Sequence, residues 1–141
     1  MQPKCAIQYI YSLTNYFKEL QADDRSLEYQ LNLEKVKLTI DTVLPLGIIC
    51  AELLSNSFKY ARQGDRKLRI SMKLRGAGDK YVFSYKDNGL GYGCMDNRDS
   101  NTIGLYLMQS MVKQLQAFHK FFDNSGACFE IEFSEKIVSL V

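Results

Sequence analysis

The sequence predicts an α+β fold, a two-layer sandwich in which a mixed, mostly antiparallel sheet is covered on one face by helices. Three observations predict it. Apolar residues recur at helical spacing in three separate stretches, they alternate at strand spacing in several others, and Gly, Asn and Asp punctuate the joints. Each helix and the sheet then has one apolar face to cover, which two layers achieve.

The elements follow in order. From Ala6 to Leu20 the residues Ile7, Ile10, Tyr11, Leu13, Tyr16, Phe17 and Leu20 recur at intervals of three and four, as in an amphipathic helix, and Asp23 and Asp24 mark its exit. Two alternating runs come next, Tyr29, Leu31, Leu33 and then Val36, Leu38, Ile40, with Glu34 and Lys35 as a tight hairpin or short connection. Pro45 suits the first turn of a helix, where its missing N–H is harmless, and the helix runs from Leu46 to Ala61, ended by Gly64 and Asp65. Leu68, Ile70, Met72, Leu74 and then Tyr81, Phe83, Tyr85, joined through Gly76, Gly78 and Asp79, form the clearest antiparallel hairpin. The stretch from Asp87 to Thr102, rich in Gly, Asn and Asp, is expected to be loop. Leu105, Met108, Val112 and Leu115 mark one face of a further helix. A last hairpin takes in Phe118 to Phe122, a turn at Asn124 to Gly126, and a strand with Phe129, Ile131 and Phe133 on one side.

At 141 residues the chain fits one domain, and 46% hydrophobic with 24% charged residues is ordinary globular usage. A net charge of +2 excludes nucleic-acid binding as a leading idea, because Lys67, Arg69, Lys73 and Arg75 alternate along a strand, as on a solvated face. Cys5, Cys50, Cys94 and Cys128 lack C-x-x-C spacing, which argues for a reducing compartment and against zinc. No apolar run approaches the roughly 20 residues of a membrane-spanning helix, and the start lacks signal-peptide order. The expectation is a soluble, cytoplasmic domain that begins part-way along a helix of a longer protein, itself free to be membrane-anchored.

Chemistry gathers in three places. Glu52, Asn56 and Lys59, spaced by four and three, form one polar stripe on an otherwise apolar helix, a pattern that a solvent-facing side would also give. Asp87, Gly89 and Gly91 close a strand and open a glycine-rich loop. An acidic group there can read a nucleobase amine, and glycines admit a ligand close to backbone, although Asp-Asn-Gly alone is a common turn. Gly104 opens the next helix, whose free N–H groups make an anion site.

In this order the three pieces resemble the nucleotide-binding motifs of the Bergerat-fold ATPases, the superfamily of gyrase, heat-shock chaperone ATPases, mismatch-repair ATPases and histidine kinases. The asparagine motif is similar to Glu52-Leu53-Leu54-Ser55-Asn56-Ser57-Phe58-Lys59-Tyr60-Ala61. The first glycine motif is similar to Asp87-Asn88-Gly89-Leu90-Gly91, and the second to Thr102-Ile103-Gly104-Leu105-Tyr106-Leu107. The resemblance spans about Leu27 to Phe133 and is nearest to bacterial histidine kinases with a short nucleotide lid, since little chain separates Gly91 from Gly104.

The resemblance implies the Bergerat ATP-binding fold, with ATP and Mg²⁺ as cofactors, and a role for each matching residue. Asn56 would bind Mg²⁺. Glu52 would orient or deprotonate the attacking group, and Lys59 with Tyr60 would contact phosphate or ribose. Asp87 would accept from the adenine amine, with Gly89 and Gly91 shaping the base pocket, while Thr102, Gly104 and Leu105 would face the nucleotide from the lid and helix start. Residues 1–22 would be a leading helix at the end of a dimerisation or linker helix, and 23–141 the catalytic domain. Implied partners are the histidine-bearing dimerisation helices of the parent, itself a homodimer, and a response regulator.

Two positions depart from the family pattern. Thr102 replaces the first glycine of the second motif, and Ala127 stands where a threonine is usual, removing a hydroxyl that helps hold adenine through water. His119, the only histidine, falls in the strand region beyond the last helix and reads as a structural or exposed residue, not a phosphoacceptor. The same motifs would also suit an anti-sigma-factor serine kinase or a non-catalytic module that binds nucleotide or protein. The segment from Tyr92 to Asn101 is expected to be mobile without nucleotide and to become ordered when phosphates bind.

Overall fold

The computed structural model describes residues 4–20, 27–61, 66–92 and 102–135. The expected helix ends at Asp23–Asp24 and Gly64–Asp65, and the loop 93–101, lie outside the described residues. The elements in chain order are β1 (Lys4–Cys5), α1 (Ala6–Leu20), β2 (Leu27–Leu33), β3 (Lys37–Leu38), α2 (Ile40–Tyr60), β4 (Leu68–Ala77), β5 (Lys80–Asp87), α3 (Thr102–Gln114), β6 (Phe118–Asp123) and β7 (Ala127–Ser134). Five strands form one sheet in the order β2-β4-β5-β7-β6, and β1 pairs with β3 in a separate two-stranded ribbon. All neighbours in the main sheet are antiparallel except β2 and β4, which are parallel.

The pairing decides for the short connection at Glu34 and Lys35, and the extent of α2 corrects an expectation. β2 and β3 do not form a hairpin: the chain leaves β2 and returns to β4 through α2, because parallel neighbours need a crossover. Ile40, the last of the alternating positions, begins α2 instead of ending a strand, so Pro45 lies inside the helix, just past its first turn. The helix start is anchored from across the molecule. One carboxylate oxygen of Glu135, just beyond β7, accepts from the Thr39 N–H (3.0 Å), the Thr39 hydroxyl (2.8 Å) and the Thr42 hydroxyl (2.8 Å). A carboxylate at this end also complements the positive end of the helix dipole.

Strand alternation builds the core. Leu68, Ile70, Met72 and Leu74 of β4 point inward, as do Phe83 and Tyr85 of β5 and Phe129, Ile131 and Phe133 of β7. Opposite them lie Leu46, Ile49, Cys50, Leu53 and Leu54 of α2. Burying one such side chain stabilises by about 1.5–3 kcal/mol, so these rows fix the sheet's register against α2. An 18-residue window of α2 has a mean hydropathy of 1.2, so by length and composition alone the 21-residue helix is apolar enough to cross a membrane, contrary to the sequence expectation. More than half of it is buried inside the domain.

Helix α1 packs on α2 through a narrower stripe than its periodicity suggested. Ile10 and Thr14 are buried and Leu13 and Phe17 half-buried, with Phe17 against Phe58 at 5.4 Å between ring centroids. Tyr11 and Tyr16, counted by spacing as part of the apolar face, are exposed. The Thr14 hydroxyl is satisfied within the helix by the Tyr11 carbonyl at 2.9 Å.

Candidate functional site

The alternation that buries Phe83 and Tyr85 carries one residue further, to Asp87, and sets a carboxylate on the inner face at the end of β5. Asp87 is 5% exposed. Its Oδ1 accepts from the backbone N–H of Gly89 (3.0 Å) and of Ala127 (3.1 Å), and its Oδ2 from the Ser57 hydroxyl of α2 (2.7 Å). Because Ser57 spends its proton on Asp87, the 2.7 Å contact between Ser57 and Tyr85 makes Tyr85 the donor there. Burial, with the Asp87 charge adding to it, pushes the Tyr85 hydroxyl well above its usual range, so it stays protonated.

Asn88 locks the strand end beneath this carboxylate. Its Oδ1 accepts from the Arg69 N–H (2.9 Å) and its Nδ2 donates to the Lys67 carbonyl (2.9 Å), imitating a ladder at the start of β4. The β6–β7 turn closes in from the other side. Gly126 has φ +142°, and a Cβ there would lie 1.8 Å from the Asp87 carbonyl oxygen, so only glycine lets the turn come near enough to deliver the Ala127 N–H.

A cavity of about 40 Å³ opens above Asp87. Asn56, Ser57 and Tyr60 of α2, Asp87 of β5, Tyr92, Phe121 of β6 and Ala127 of β7 are among the residues that line it. Asn56 is not part of a merely solvated stripe: its Oδ1 is buried and has no hydrogen-bond partner among the described residues. A buried oxygen left without a donor is costly, and a neutral oxygen of this kind suits a hard divalent cation.

Four of the residues singled out by sequence, Asn56, Tyr60, Asp87 and Gly91, line this one cavity. Gly89 adjoins it through its N–H to Asp87. Glu52 and Lys59 flank Asn56 along α2, outside the cavity wall, with Glu52 half-buried and Lys59 exposed. Thr102, Gly104 and Leu105 open α3, which packs against α2; of the described cavity-lining residues, none is Gly104 or Leu105. His119 is exposed on β6, edge-on to Phe121 at 5.7 Å.

Sequence reasoning missed Ser57, Tyr85 and Phe121, and it took Tyr92 only as the first residue of a mobile segment, whereas Tyr92 is held by Asp123 and packs on Phe121. Strand period could have found Tyr85, two residues before Asp87, and helix period could have turned Ser57 toward the sheet. Ala127 was read as the loss of a hydroxyl, yet its N–H serves Asp87 and a hydroxyl beside that carboxylate comes from Ser57 of α2.

No family model matches the sequence, and no curated protein does. Solved structures do. The histidine kinase domain of the blue-light-activated histidine kinase of Erythrobacter litoralis superposes with a TM-score of 0.79 at 13% identity, over 93% of this chain and 61% of that one. The Acinetobacter baumannii histidine kinase AdeS gives 0.76 at 15% identity, covering 96% of this chain and 68% of that one. A nucleotide-free catalytic domain of histidine kinase ThkA gives 0.70 at 11% identity, covering 96% and 98%. This chain thus spans about three-fifths of the Erythrobacter domain but nearly all of the isolated ThkA domain. With the sheet order, the covering helices and the buried Asp87 described above, the chain has the Bergerat fold of the histidine-kinase catalytic domains.

Proposed function

We propose that the chain is the ATP-binding catalytic domain of a two-component sensor histidine kinase, transferring the γ-phosphoryl group of ATP to a histidine on dimerisation helices outside this chain. The observation that carries the reading is Asp87. An ionised carboxylate offers about four acceptor positions, and Asp87 has three donors while lining the cavity. One position is left for a donor from a ligand, and the exocyclic amine of adenine is such a donor. Guanine would present a carbonyl oxygen to the same carboxylate and be repelled.

The remaining roles are those that the resemblance of the three motifs implies. Asn56, with a buried Oδ1 unpartnered among the described residues, fits Mg²⁺, which when bound neutralises charge on the phosphates. Lys59 and Tyr60, next along α2, would contact phosphate or ribose. Gly89 and Gly91 would form the wall of the base pocket, and Thr102, Gly104 and Leu105 would face the phosphates from the start of α3, at the positive end of its dipole. Glu52, one helical turn before Asn56, would orient the incoming imidazole or take its proton as the bond from Pγ to the bridging oxygen breaks and ADP leaves. A response regulator would receive the phosphoryl group, and the parent would act as a homodimer with this domain on the cytoplasmic side.

Calorimetric titration of the chain with ATP, with and without Mg²⁺ and against GTP, tests the reading. ATP should bind in preference to GTP, and more tightly with Mg²⁺. Absence of ATP binding by folded protein would overturn the proposal.

A further inference from the structure

The cavity above Asp87 is far smaller than the ligand assigned to it. At about 40 Å³ it falls short of the space a purine ring takes up. Among the described residues, Leu90, Gly91 and Tyr92 of the segment after β5 and Phe121 of β6 line it. The Tyr92 ring stands edge-on to Phe121 at 5.4 Å between centroids, and Phe121 in turn packs on Phe129 at 5.0 Å. A row of aromatic rings thus runs from the β7 core to the mouth of the pocket and ends on Tyr92. Burial raises the Tyr92 hydroxyl above its usual range, and the Asp87 charge adds to the effect, in keeping with a ring turned in toward the carboxylate instead of out to solvent.

The backbone is held in the same position. The Tyr92 N–H donates to Oδ1 of Asp123, at the end of β6, over 2.8 Å. A bond to an ionised acceptor is about twice as strong as a neutral one. Gly91, at φ +87°, lets the chain pass tightly over that carboxylate, since a Cβ there would come within 2.7 Å of the Asp123 side chain. The geometry has two parts, a flat ring at the mouth of the base pocket and an acidic latch on the neighbouring turn.

We propose that Tyr92 is a built-in stopper of the nucleotide pocket: in the empty domain its ring closes the cavity over Asp87 and Asp123 latches it there, so nucleotide enters only after Tyr92 swings out. This rests on the ATP reading above. The apparent affinity is then the intrinsic affinity reduced by the fraction of molecules with the stopper open. Whatever frees Tyr92 from Asp123 turns the site on without touching a ligand-binding group.

The test is stopped-flow and equilibrium binding of a fluorescent, non-hydrolysable Mg-ATP analogue to the whole chain, in wild type, Tyr92→Ala, Tyr92→Phe and Asp123→Ala, with thermal unfolding to verify each fold. Tyr92→Ala should bind roughly ten-fold or more tightly, mostly through faster association. Tyr92→Phe keeps the ring and should match wild type. Asp123→Ala lies at an exposed turn, keeps the ring and frees the latch, so it should also speed association even if Tyr92→Ala folds poorly. Equal or weaker binding by both Tyr92→Ala and Asp123→Ala, with wild type binding normally, overturns the stopper and leaves the ATP reading standing. Absence of binding in every folded variant overturns the ATP reading, and the stopper with it.

Discussion

Asp87→Asn isolates the acceptor that the functional reading depends on, and the surrounding hydrogen bonds indicate that the fold would survive it. An asparagine Oδ1 can still accept from the Gly89 and Ala127 N–H groups. Its Nδ2 would face Ser57, which can reverse: Ser57 then accepts from the amide and donates to Tyr85, and Tyr85 donates to the Leu53 carbonyl, already 3.2 Å away. The network is inverted and remains satisfied. What is lost is the acceptor for the adenine amine, replaced by an amide N–H facing another donor. A hydrogen bond to a charged group contributes about 1.5–3 kcal/mol, so ATP affinity should fall roughly 10- to 100-fold. The preference over GTP should shrink further, because the amide can donate to the guanine carbonyl. Calorimetry with both nucleotides measures this, and thermal unfolding should show a shift of only a few degrees. An Asp87→Asn variant that is folded, binds ATP as wild type does and still rejects GTP would refute the assignment of Asp87 to the base.

Other perturbations separate the remaining roles. Asn56→Ala should abolish the dependence of nucleotide binding on Mg²⁺ while leaving Mg-free binding nearly unchanged, read by titration with and without a chelator. Glu52→Ala should keep nucleotide affinity within a few-fold but lose transfer when histidine-bearing helices are supplied, read with radiolabelled ATP. Glu135→Ala leaves Thr39 and the fully buried Thr42 without their shared acceptor. It should destabilise by about 2 kcal/mol and lower Tm by about 5 to 10 °C with nucleotide binding intact. Burial pushes the Cys50 thiol from 9.0 to about 12. The unfolded chain therefore loses this proton first as pH rises, so Cys50's contribution to stability is full below pH 9.0 and declines toward pH 12. Urea unfolding across that range should show a shallower alkaline decline for Cys50→Ala, less stable at neutral pH, than for wild type.

The sequence was informative wherever periodicity was local. The β4–β5 hairpin, the β6–β7 hairpin and α1 are each set by residues close in the chain, and the apolar rows of β4, β5 and β7 point inward as spacing said, while Tyr11 and Tyr16 of α1 and the phenylalanines of β6 are exposed. The segment from Val36 to Ile40 misled because three alternating apolar residues suit either a strand or the entry to a buried helix. The choice is made by Glu135, almost a hundred residues later, which holds Thr39 and Thr42 as a helix start. The parallel pairing of β2 with β4 is equally non-local, since it exists only once α2 has crossed over. At the site, Asp87 and Asn56 were legible because their motifs fix both residue type and order. Tyr92, Phe121 and Asp123 were not, because they meet only when the β6–β7 turn folds back on the loop after β5.

The account's central claim is that the pocket between α2 and β5 is a Mg-ATP site. A crystal structure of this chain grown with Mg²⁺ and a non-hydrolysable ATP analogue tests it most directly. The account predicts the adenine amine within hydrogen-bond distance of Asp87, Mg²⁺ on Oδ1 of Asn56, and Tyr92 displaced from the cavity mouth. An analogue bound elsewhere, or an adenine whose amine points away from Asp87, would contradict it.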